Sequence, residues 1–300
     1  MSFDGFGTVS IETRQTTIFA RCGGSGPPVL LLHGFPQTHL MWRTVAPLLA
    51  REFTVVCPDL RGYGRSGCPD SGADHAPYAK RTMARDMVEV MAHLGFAQFA
   101  VAGHDRGGRV AYRLALDHPG QVQRLAVLDI VTTADAWDHA DARFAAGYWP
   151  WSLLAQPAPL PERLLAAAPD AVVDAALGGW GSAPAAFGPD VRAAYVEALT
   201  GPGHVHAICE EYRAAAGIDR HHDAEDRRAG RRIACPVLIL WSAGGPLDVW
   251  YTAAGGPLAL WHGWAGDVRG HAVEAGHFFP EELPDQTAAE LRHFLLAGGG

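Results

Sequence analysis

The chain has 300 residues, of which 48% are hydrophobic and 19% are charged, a composition typical of globular proteins. Its formal net charge of −8 at pH 7 argues against a nucleic-acid partner, because binding to phosphates favours a basic surface. The sequence contains no uninterrupted apolar run of about 18 residues, so it predicts no membrane span. Its first residues lack the basic and apolar stretches of a signal peptide.

The cysteine content favours a reducing compartment. The five cysteines are scattered and odd in number, and their spacing fits no metal site. We expect free thiols and a cytoplasmic location, because disulfides persist mainly in oxidising compartments. The sequence implies no metal and no organic cofactor.

Short apolar runs alternate with helix-length segments along most of the chain. Such runs are typical of strands buried on both faces of a parallel sheet, and their alternation with helices indicates an α/β fold. Residues 8–20 alternate in a way that predicts an initial β-hairpin. The predicted parallel strands are 29–32, 53–56, 98–102, 125–128, 236–241 and 270–273, and the predicted helices include 39–51, 80–94 and 106–118.

Residues 131–232 break this rhythm. They contain no comparable apolar strand, are rich in alanine, and follow a helical pattern with proline and glycine interruptions. We interpret them as a helical lid inserted into a core formed by residues 1–130 and 233–300. The charged end of this insert, residues 219–228, contains paired histidines. Because no ligand set completes a metal site, a solvated return segment is the expected structure there.

The segment Gly103–Gly107 has the pattern of a nucleophile elbow, in which a glycine-flanked residue follows a strand and precedes a helix. The central residue is usually serine, but here it is Asp105. A carboxylate is ionised at pH 7 and needs no base to become a nucleophile. It can attack an electrophilic carbon and form an ester, which must then be hydrolysed by activated water.

A base for that hydrolysis is expected near the end of the chain. His277 follows a strand-like segment and precedes the last helix, as such a base should. Two acids, Asp129 and Asp248, compete to orient its imidazole. Asp129 is favoured because it ends a predicted strand, whereas Asp248 begins a predicted helix, where a carboxylate has a structural use. A purely structural alternative makes Asp105 and Arg109 an ion pair and His277 a core histidine, but the order of these motifs favours catalysis.

Arg106 and Arg109 are three positions apart at the start of the same predicted helix. They therefore share a helix face, at the end that carries the positive dipole. If the two arginines only neutralised Asp105, its carboxylate would be a weaker nucleophile. A bound substrate carboxylate therefore explains the two arginines better. The sequence thus favours a substrate of the form X–CH2–COO⁻, while Arg113, one turn further on, is expected to be structural.

Residues 103–119 closely resemble the fluoroacetate and haloacetate dehalogenases of the α/β-hydrolase superfamily. Similarity extends over nearly the whole chain and includes the motifs at 33–37, 59–66 and 276–279. The motifs at 33–37 and 59–66 are shared with epoxide hydrolases and haloalkane dehalogenases. The resemblance implies an α/β-hydrolase fold, with a mostly parallel sheet flanked by helices and an inserted lid, and it leaves the oligomeric state open, a homodimer included.

The resemblance also assigns roles position by position. It implies that Asp105 is the nucleophile, His277 the base and Asp129 the triad acid, and that Arg106 and Arg109 hold the carboxylate. The family's halide pocket is a His-Trp pair and a later tyrosine in the lid, which implies Trp149 and Tyr212 here, with Tyr148 in place of the histidine. The loop that follows His33 would supply an oxyanion donor, the Phe35 N–H.

Three functions remain open at this stage. The leading one is hydrolysis of a haloacetate to glycolate and halide, with a small-molecule haloacid as the substrate. The second is an epoxide hydrolase, for which Tyr148 and Tyr212 could hold the epoxide oxygen, although a neutral epoxide gives no reason for the arginines. The third is a non-catalytic protein that binds small carboxylates, for which His277 would have no use.

Overall fold

The computed structural model describes residues 3–297 and contains one eight-stranded sheet, in the order β1-β2-β4-β3-β5-β6-β7-β8. The β1–β2 and β2–β4 pairs are antiparallel, and the other neighbours are parallel. The predicted hairpin and parallel sheet are therefore confirmed. The strands are β1 (Gly7–Glu12), β2 (Thr17–Gly24), β3 (Pro28–Leu32), β4 (Thr54–Pro58), β5 (Phe99–His104), β6 (Val122–Leu128), β7 (Val237–Ser242) and β8 (Val268–Val273).

Helices cover both faces of this sheet, and the segment between β6 and β7 contains helices and their connections but no strand of the sheet. The helices of the first half and the end of the chain are α1 (Val45–Leu49), α2 (Lys80–His93), α3 (Asp105–Asp117), α12 (Pro246–Trp250), α13 (Gly256–His262), α14 (Phe279–Glu282) and α15 (Pro284–Leu296). The insert between β6 and β7 contains α4 (Thr133–Asp138), α5 (Ala142–Gly147), α6 (Trp149–Leu153), α7 (Leu160–Ala167), α8 (Pro169–Leu177), α9 (Pro189–Ala198), α10 (Pro202–Ala216) and α11 (Ile218–Arg228). None of the helices in the described residues has the length and apolar character that crossing a membrane would require.

The two faces of the sheet carry separate apolar cores, as a sheet buried on both sides requires. Leu30, Val101 and Val127 belong to the core on one face. The residues that follow Val101 and Val127 along their strands, Ala102 and Leu128, belong to the core on the opposite face. Alternation of side chains along each strand produces this division, and every residue of β5 is buried. The strand that leads to Asp105 is thus fixed from both sides.

The predicted helix 39–51 is wrong in its extent. The chain forms a short 3-10 helix, His39–Trp42, and the α-helix begins only at Val45. Pro47 explains the break, because proline lacks an N–H and is tolerated in the first turn of an α-helix but not in its interior. A helix beginning at residue 39 would place Pro47 in its third turn.

The expectation of a solvated segment at 219–228 is also wrong for one face of helix α11. Asp219, Asp223 and Asp226 are each at most 3% exposed. Arg113 of α3 donates to Asp223 at 2.5 Å and also to Asp226. The charges of this helix therefore face inward and are paired, and they hold the end of the insert against the core.

Candidate active site

Asp105 lies at the sharp turn between β5 and α3. Its φ of +47° is in the left-handed region, which L-residues rarely adopt and which is found preferentially at functional sites. Glycines permit this turn: a Cβ on Gly103 would lie 2.4 Å from the Gly107 carbonyl oxygen, and a Cβ on Gly107 would lie 2.4 Å from that of His33. The Phe35 N–H donates to Asp105 Oδ1 at 2.9 Å.

His277 and Asp129 form a buried pair beside this turn. The distance between His277 Nδ1 and Asp129 Oδ2 is 2.5 Å, while Asp129 Oδ1 accepts a hydrogen bond from the Ser242 N–H at 2.9 Å. Asp129 also has a positive φ, of +54°. This pairing fixes the proton of His277 on Nδ1 and leaves Nε2 as the acceptor.

Asp248 does not take part in this pair. Its carboxylate accepts hydrogen bonds from Trp241 Nε1 at 3.0 Å and from the Gly244 N–H at 2.9 Å. It therefore stabilises the loop at the start of helix α12, which is the structural use that its position suggested.

The charges of the site favour an ionised nucleophile and a basic imidazole. Burial alone would raise the pKa of Asp105, but His277, Arg106 and the Phe35 N–H together lower it below its usual value. Burial alone would lower the pKa of His277, but the hydrogen bond and charge of Asp129 and the charge of Asp105 raise it. Each shift has the direction that a carboxylate nucleophile and a general base require.

His104 is a neighbour of the site that sequence reasoning missed. Its Nε2–H donates to the His277 carbonyl oxygen at 2.8 Å, and the two rings lie 4.5 Å apart. Burial lowers the pKa of His104 to about 4, so it is neutral and supports the loop that carries His277 without adding a charge. Only its position directly before Asp105 in the sequence could have indicated it.

Asp105, Asp129 and His277 line one small cavity beneath the lid. The cavity volume is about 10 Å³, close to the minimum that holds one water molecule. The lining combines core residues with lid aromatics, so the insert closes over the strand ends. The lining residues are Phe35, Asp105, Arg109, Asp129, Tyr148, Pro150, Trp151, Trp180, Tyr212 and His277.

The two arginines differ in their surroundings. Arg109 lines the cavity, its Nη1 donates to the Val131 carbonyl oxygen at 3.0 Å, and its guanidinium lies 4.3 Å from the centre of the Trp151 ring. Within residues 3–297 it makes no salt bridge, and its Nε has no hydrogen-bond partner. The cavity therefore contains a cation that no carboxylate has neutralised.

Arg106 is already paired, contrary to the expected two-arginine clamp. Its Nη2 donates to Glu211 at 2.6 Å and its Nε at 2.8 Å, and Lys80 also contacts Glu211. Arg106 is absent from the cavity lining. Glu211, which precedes Tyr212 on helix α10, thus binds the guanidinium that was expected to hold a substrate. The Nη1 atom of Arg106 has no partner among the described residues.

The expected halide donors are only partly in place. Tyr148 and Tyr212 line the cavity, and neither hydroxyl has a hydrogen-bond partner within residues 3–297. Burial raises the pKa of both phenols above their usual range, so both remain neutral donors. Trp149 lies outside the lining, where its ring packs 6.5 Å from that of Phe35.

Trp151 occupies the cavity instead. Residues 149 and 151 are on helix α6, and side chains two positions apart on a helix point about 200° from each other. Trp151 is 4% exposed, as expected for the inward position. The structure therefore places Trp151, two residues after the expected Trp149, at the cavity.

His33 also lies outside the cavity. Its Nε2 accepts a hydrogen bond from the Leu60 N–H at 2.9 Å, and its Nδ1 lies 3.0 Å from the Gly34 carbonyl oxygen. It ties together the loops that follow β3 and β4. Phe35, which follows in the same loop, does line the cavity.

Comparison with known proteins gives a consistent result. A model of the alpha/beta hydrolase fold family matches residues 27–282. The chain belongs to this family. It is 43% identical over 297 residues to a fluoroacetate dehalogenase from Burkholderia sp., covering 98% of this chain and 95% of that one, so the resemblance found in the sequence is confirmed. It is also 34% identical over 278 residues to a soluble epoxide hydrolase from Corynebacterium sp., covering 87% of each.

Solved structures of similar proteins agree on the fold of this α/β hydrolase. A Nostoc sp. PCC 7120 protein, described provisionally as an α/β hydrolase, matches with a TM-score of 0.94 and 46% identity, covering 98% of this chain and 99% of that one. A mutant Pseudomonas aeruginosa protein with bound MFA, described provisionally as an epoxide hydrolase, matches with a TM-score of 0.89 and 44% identity, covering 98% and 97%.

Proposed function

We propose that this α/β hydrolase removes the halogen from a haloacetate by hydrolysis and forms glycolate and halide. The proposal rests on one observation. Asp105, His277 and Arg109, a cation that forms no salt bridge within residues 3–297, line the same small cavity. A carboxylate nucleophile suits an sp³ carbon bearing a leaving group, and the cation suits a substrate that is itself a carboxylate.

In the first step Asp105 displaces the halide. Its Oδ2 forms a bond to the CH2 carbon as the carbon–halogen bond breaks and the halide leaves with the electron pair. Oδ1 keeps its hydrogen bond from Phe35. Arg109 would hold the substrate carboxylate so that the CH2 faces Asp105, and positioning of this kind lowers the entropic part of the barrier. Tyr148 and Tyr212 supply free hydroxyls for the departing halide.

In the second step water hydrolyses the ester. His277 Nε2 takes a proton from water, whose oxygen attacks Cγ of Asp105, and negative charge develops on Oδ1. The Phe35 N–H already faces that oxygen, and the Arg106 N–H is a second candidate donor, since the first amides of a helix have no acceptor within it. The bond between Cγ and Oδ2 then breaks, and glycolate leaves with a proton from His277.

The cavity supports a small substrate. Space for about one water molecule suits a two-carbon acid after minor movement of the lid, whereas a bulky epoxide requires a larger rearrangement. The size of the cavity, the charge of Arg109 and the fluoroacetate dehalogenase among the relatives all support the same substrate class.

An epoxide hydrolase is the second candidate, because two lid tyrosines with free hydroxyls line the cavity. Phenolic donors can bind an epoxide oxygen as Asp105 opens the ring, and the ester chemistry that follows is the same. Against this candidate, the cation Arg109 has no function toward a neutral substrate.

Kinetics of an Arg109 variant distinguish these candidates. Arg109→Leu should lower kcat/KM for chloroacetate by roughly 10- to 150-fold, chiefly through KM, because a charge-assisted hydrogen bond is worth about 1.5–3 kcal/mol. Arg109→Lys, which keeps the charge but loses the planar fork, should lose less. The measurement is chloride release by ion chromatography, with diol formation from propylene oxide followed in parallel.

Other outcomes identify the other candidates. Diol formation without chloride release by the natural enzyme would favour the epoxide hydrolase. Protection of the protein from thermal unfolding by chloroacetate, without product from either substrate, would favour a carboxylate-binding protein. Unchanged chloroacetate kinetics in Arg109→Leu would show that the carboxylate binds elsewhere.

A further inference from the structure

The loop that carries His277 is held by the lid as well as by the core. The His277 N–H donates to the Trp180 carbonyl oxygen at 3.0 Å, and the Trp180 and His277 rings lie 5.3 Å apart. Trp180 belongs to the connection between α8 and α9, far from His277 in the sequence. The lid therefore contacts the backbone of the expected base directly.

Ser182 adds two hydrogen bonds to this contact. Its Oγ accepts from the Phe278 N–H at 3.0 Å and donates to Glu282 Oε1 at 2.5 Å. The other oxygen of Glu282 accepts from the Gly276 N–H at 3.4 Å. The Ser182 hydroxyl thus links Phe278 to Glu282, and Glu282 in turn binds Gly276. The residues on both sides of His277 are therefore connected to the lid.

The packing around Ser182 leaves little freedom for this loop. Ser182 is 5% exposed and His277 is 3% exposed. A Cβ on Gly276 would lie 2.2 Å from the Ser182 nitrogen, so the two backbones touch at a position where only glycine fits. A shift of Ser182 would therefore move the loop that sets the direction of His277 Nε2.

We propose that Ser182 is a positioning residue for His277 and sets the rate of ester hydrolysis but not of ester formation. This proposal rests on the proposed ester chemistry. The first step does not use His277, whereas the second needs a water molecule aligned between His277 Nε2 and Cγ of Asp105. Misalignment of the imidazole therefore slows the second step alone. A general loss of folding would lower both steps together.

The test follows the Asp105 ester directly. Ser182→Ala is mixed rapidly with chloroacetate, quenched at intervals, and the peptide containing Asp105 is analysed by mass spectrometry. The rate of ester formation per active site should be unchanged, while the rate of ester decay should fall by about tenfold or more, because a buried amide loses its acceptor and a carboxylate its donor. The ester should accumulate to a higher level than in the natural enzyme.

Two further variants complete the experiment. Ser152→Ala removes an exposed lid hydroxyl that donates to the Trp149 carbonyl oxygen at 3.2 Å, and both rates should stay at the natural values. Ser182→Cys keeps nearly the same volume but forms weaker hydrogen bonds, so it should slow ester decay less than Ser182→Ala. It also provides the measurement if Ser182→Ala does not fold.

The outcomes separate the two proposals. If formation and decay slow by the same factor, or if neither changes in the Ser182 variants, Ser182 does not position His277 and the inference is overturned. If the natural enzyme itself forms no ester with chloroacetate, the proposed function fails, whatever the Ser182 variants do.

Discussion

At the scale of single residues, the proposed mechanism assigns the first step to a carboxylate that is already ionised, Asp105, and the second to a base, His277. The charges of His277 and Arg106 and the Phe35 N–H lower the pKa of Asp105 below its usual value, so its carboxylate is ionised at neutral and mildly acidic pH. The partner of His277, Asp129, raises the pKa of the imidazole. The two steps should therefore depend on pH in different ways.

Acid should stop ester hydrolysis before it stops ester formation. His277 must be neutral to take a proton from water, and in the free enzyme its pKa lies above the ordinary 6.5. Esterification removes the charge of Asp105, one of the groups that raises this pKa, so the pKa that governs hydrolysis should be lower than that of the free enzyme. Below it, hydrolysis should fall about tenfold for each pH unit.

The measurement is the pH dependence of each step in single-turnover experiments with chloroacetate. Ester formation should continue at mildly acidic pH, where the ester should accumulate. Parallel loss of both rates as the pH falls would contradict the assignment of Asp105 and His277 to separate steps.

At the scale of elements, helix α3 links the nucleophile to the end of the lid. Its first residue is Asp105, and about two turns later Arg113 donates to Asp223 at 2.5 Å and to Asp226 on helix α11. Tyr112 donates to the same Asp223 at 2.8 Å. This end of the lid is therefore attached to the core by buried, paired charges and is fixed relative to Asp105.

Replacing Arg113 should destabilise the protein strongly. Arg113→Met leaves Asp223 buried without a cation, which typically costs about 3–5 kcal/mol, and leaves Asp226 paired with Arg231 alone. Burial raises the pKa of Asp223 even with Arg113 present, so the loss should be smaller at acidic pH, where this carboxylate is protonated. The free energy of unfolding in urea, measured at two pH values, tests this.

An exposed pair provides the control for Arg113. Arg192 donates to Asp174 at 2.5 Å on the lid surface, where solvent screens the interaction. Arg192→Met should leave the urea midpoint almost unchanged. Equal effects of Arg113→Met and Arg192→Met would show that the network between α3 and α11 does not stabilise the fold.

At the scale of the whole molecule, local patterns predicted the core much better than the lid. The apolar runs that became β3 to β8 and the elbow around Asp105 are short segments with strong local preferences. The choice of Asp129 over Asp248 could also be argued from position, because parallel strands end at one edge of the sheet. These features depend on residues that are close in sequence.

Lid residues could not be assigned in the same way, because their environment is set by contacts distant in sequence. Glu211 neutralises Arg106 across 105 positions, and no local pattern predicts that pairing. The choice between Trp149 and Trp151 depends on the position at which α6 begins. The hydrogen bonds from His277 to Trp180 and from Phe278 to Ser182 likewise join segments about a hundred residues apart, so only the folded chain reveals them.

The covalent ester on Asp105 is the central claim, and one labelling experiment tests it most directly. A single turnover of chloroacetate is carried out in ¹⁸O-water with enzyme in excess, and both products are analysed by mass spectrometry. Because water attacks Cγ of Asp105, the label should enter the Asp105 carboxylate, and the glycolate of this first turnover should be unlabelled. Label in the first glycolate, with none in the peptide that contains Asp105, would mean that water attacks the substrate carbon directly and would contradict the account.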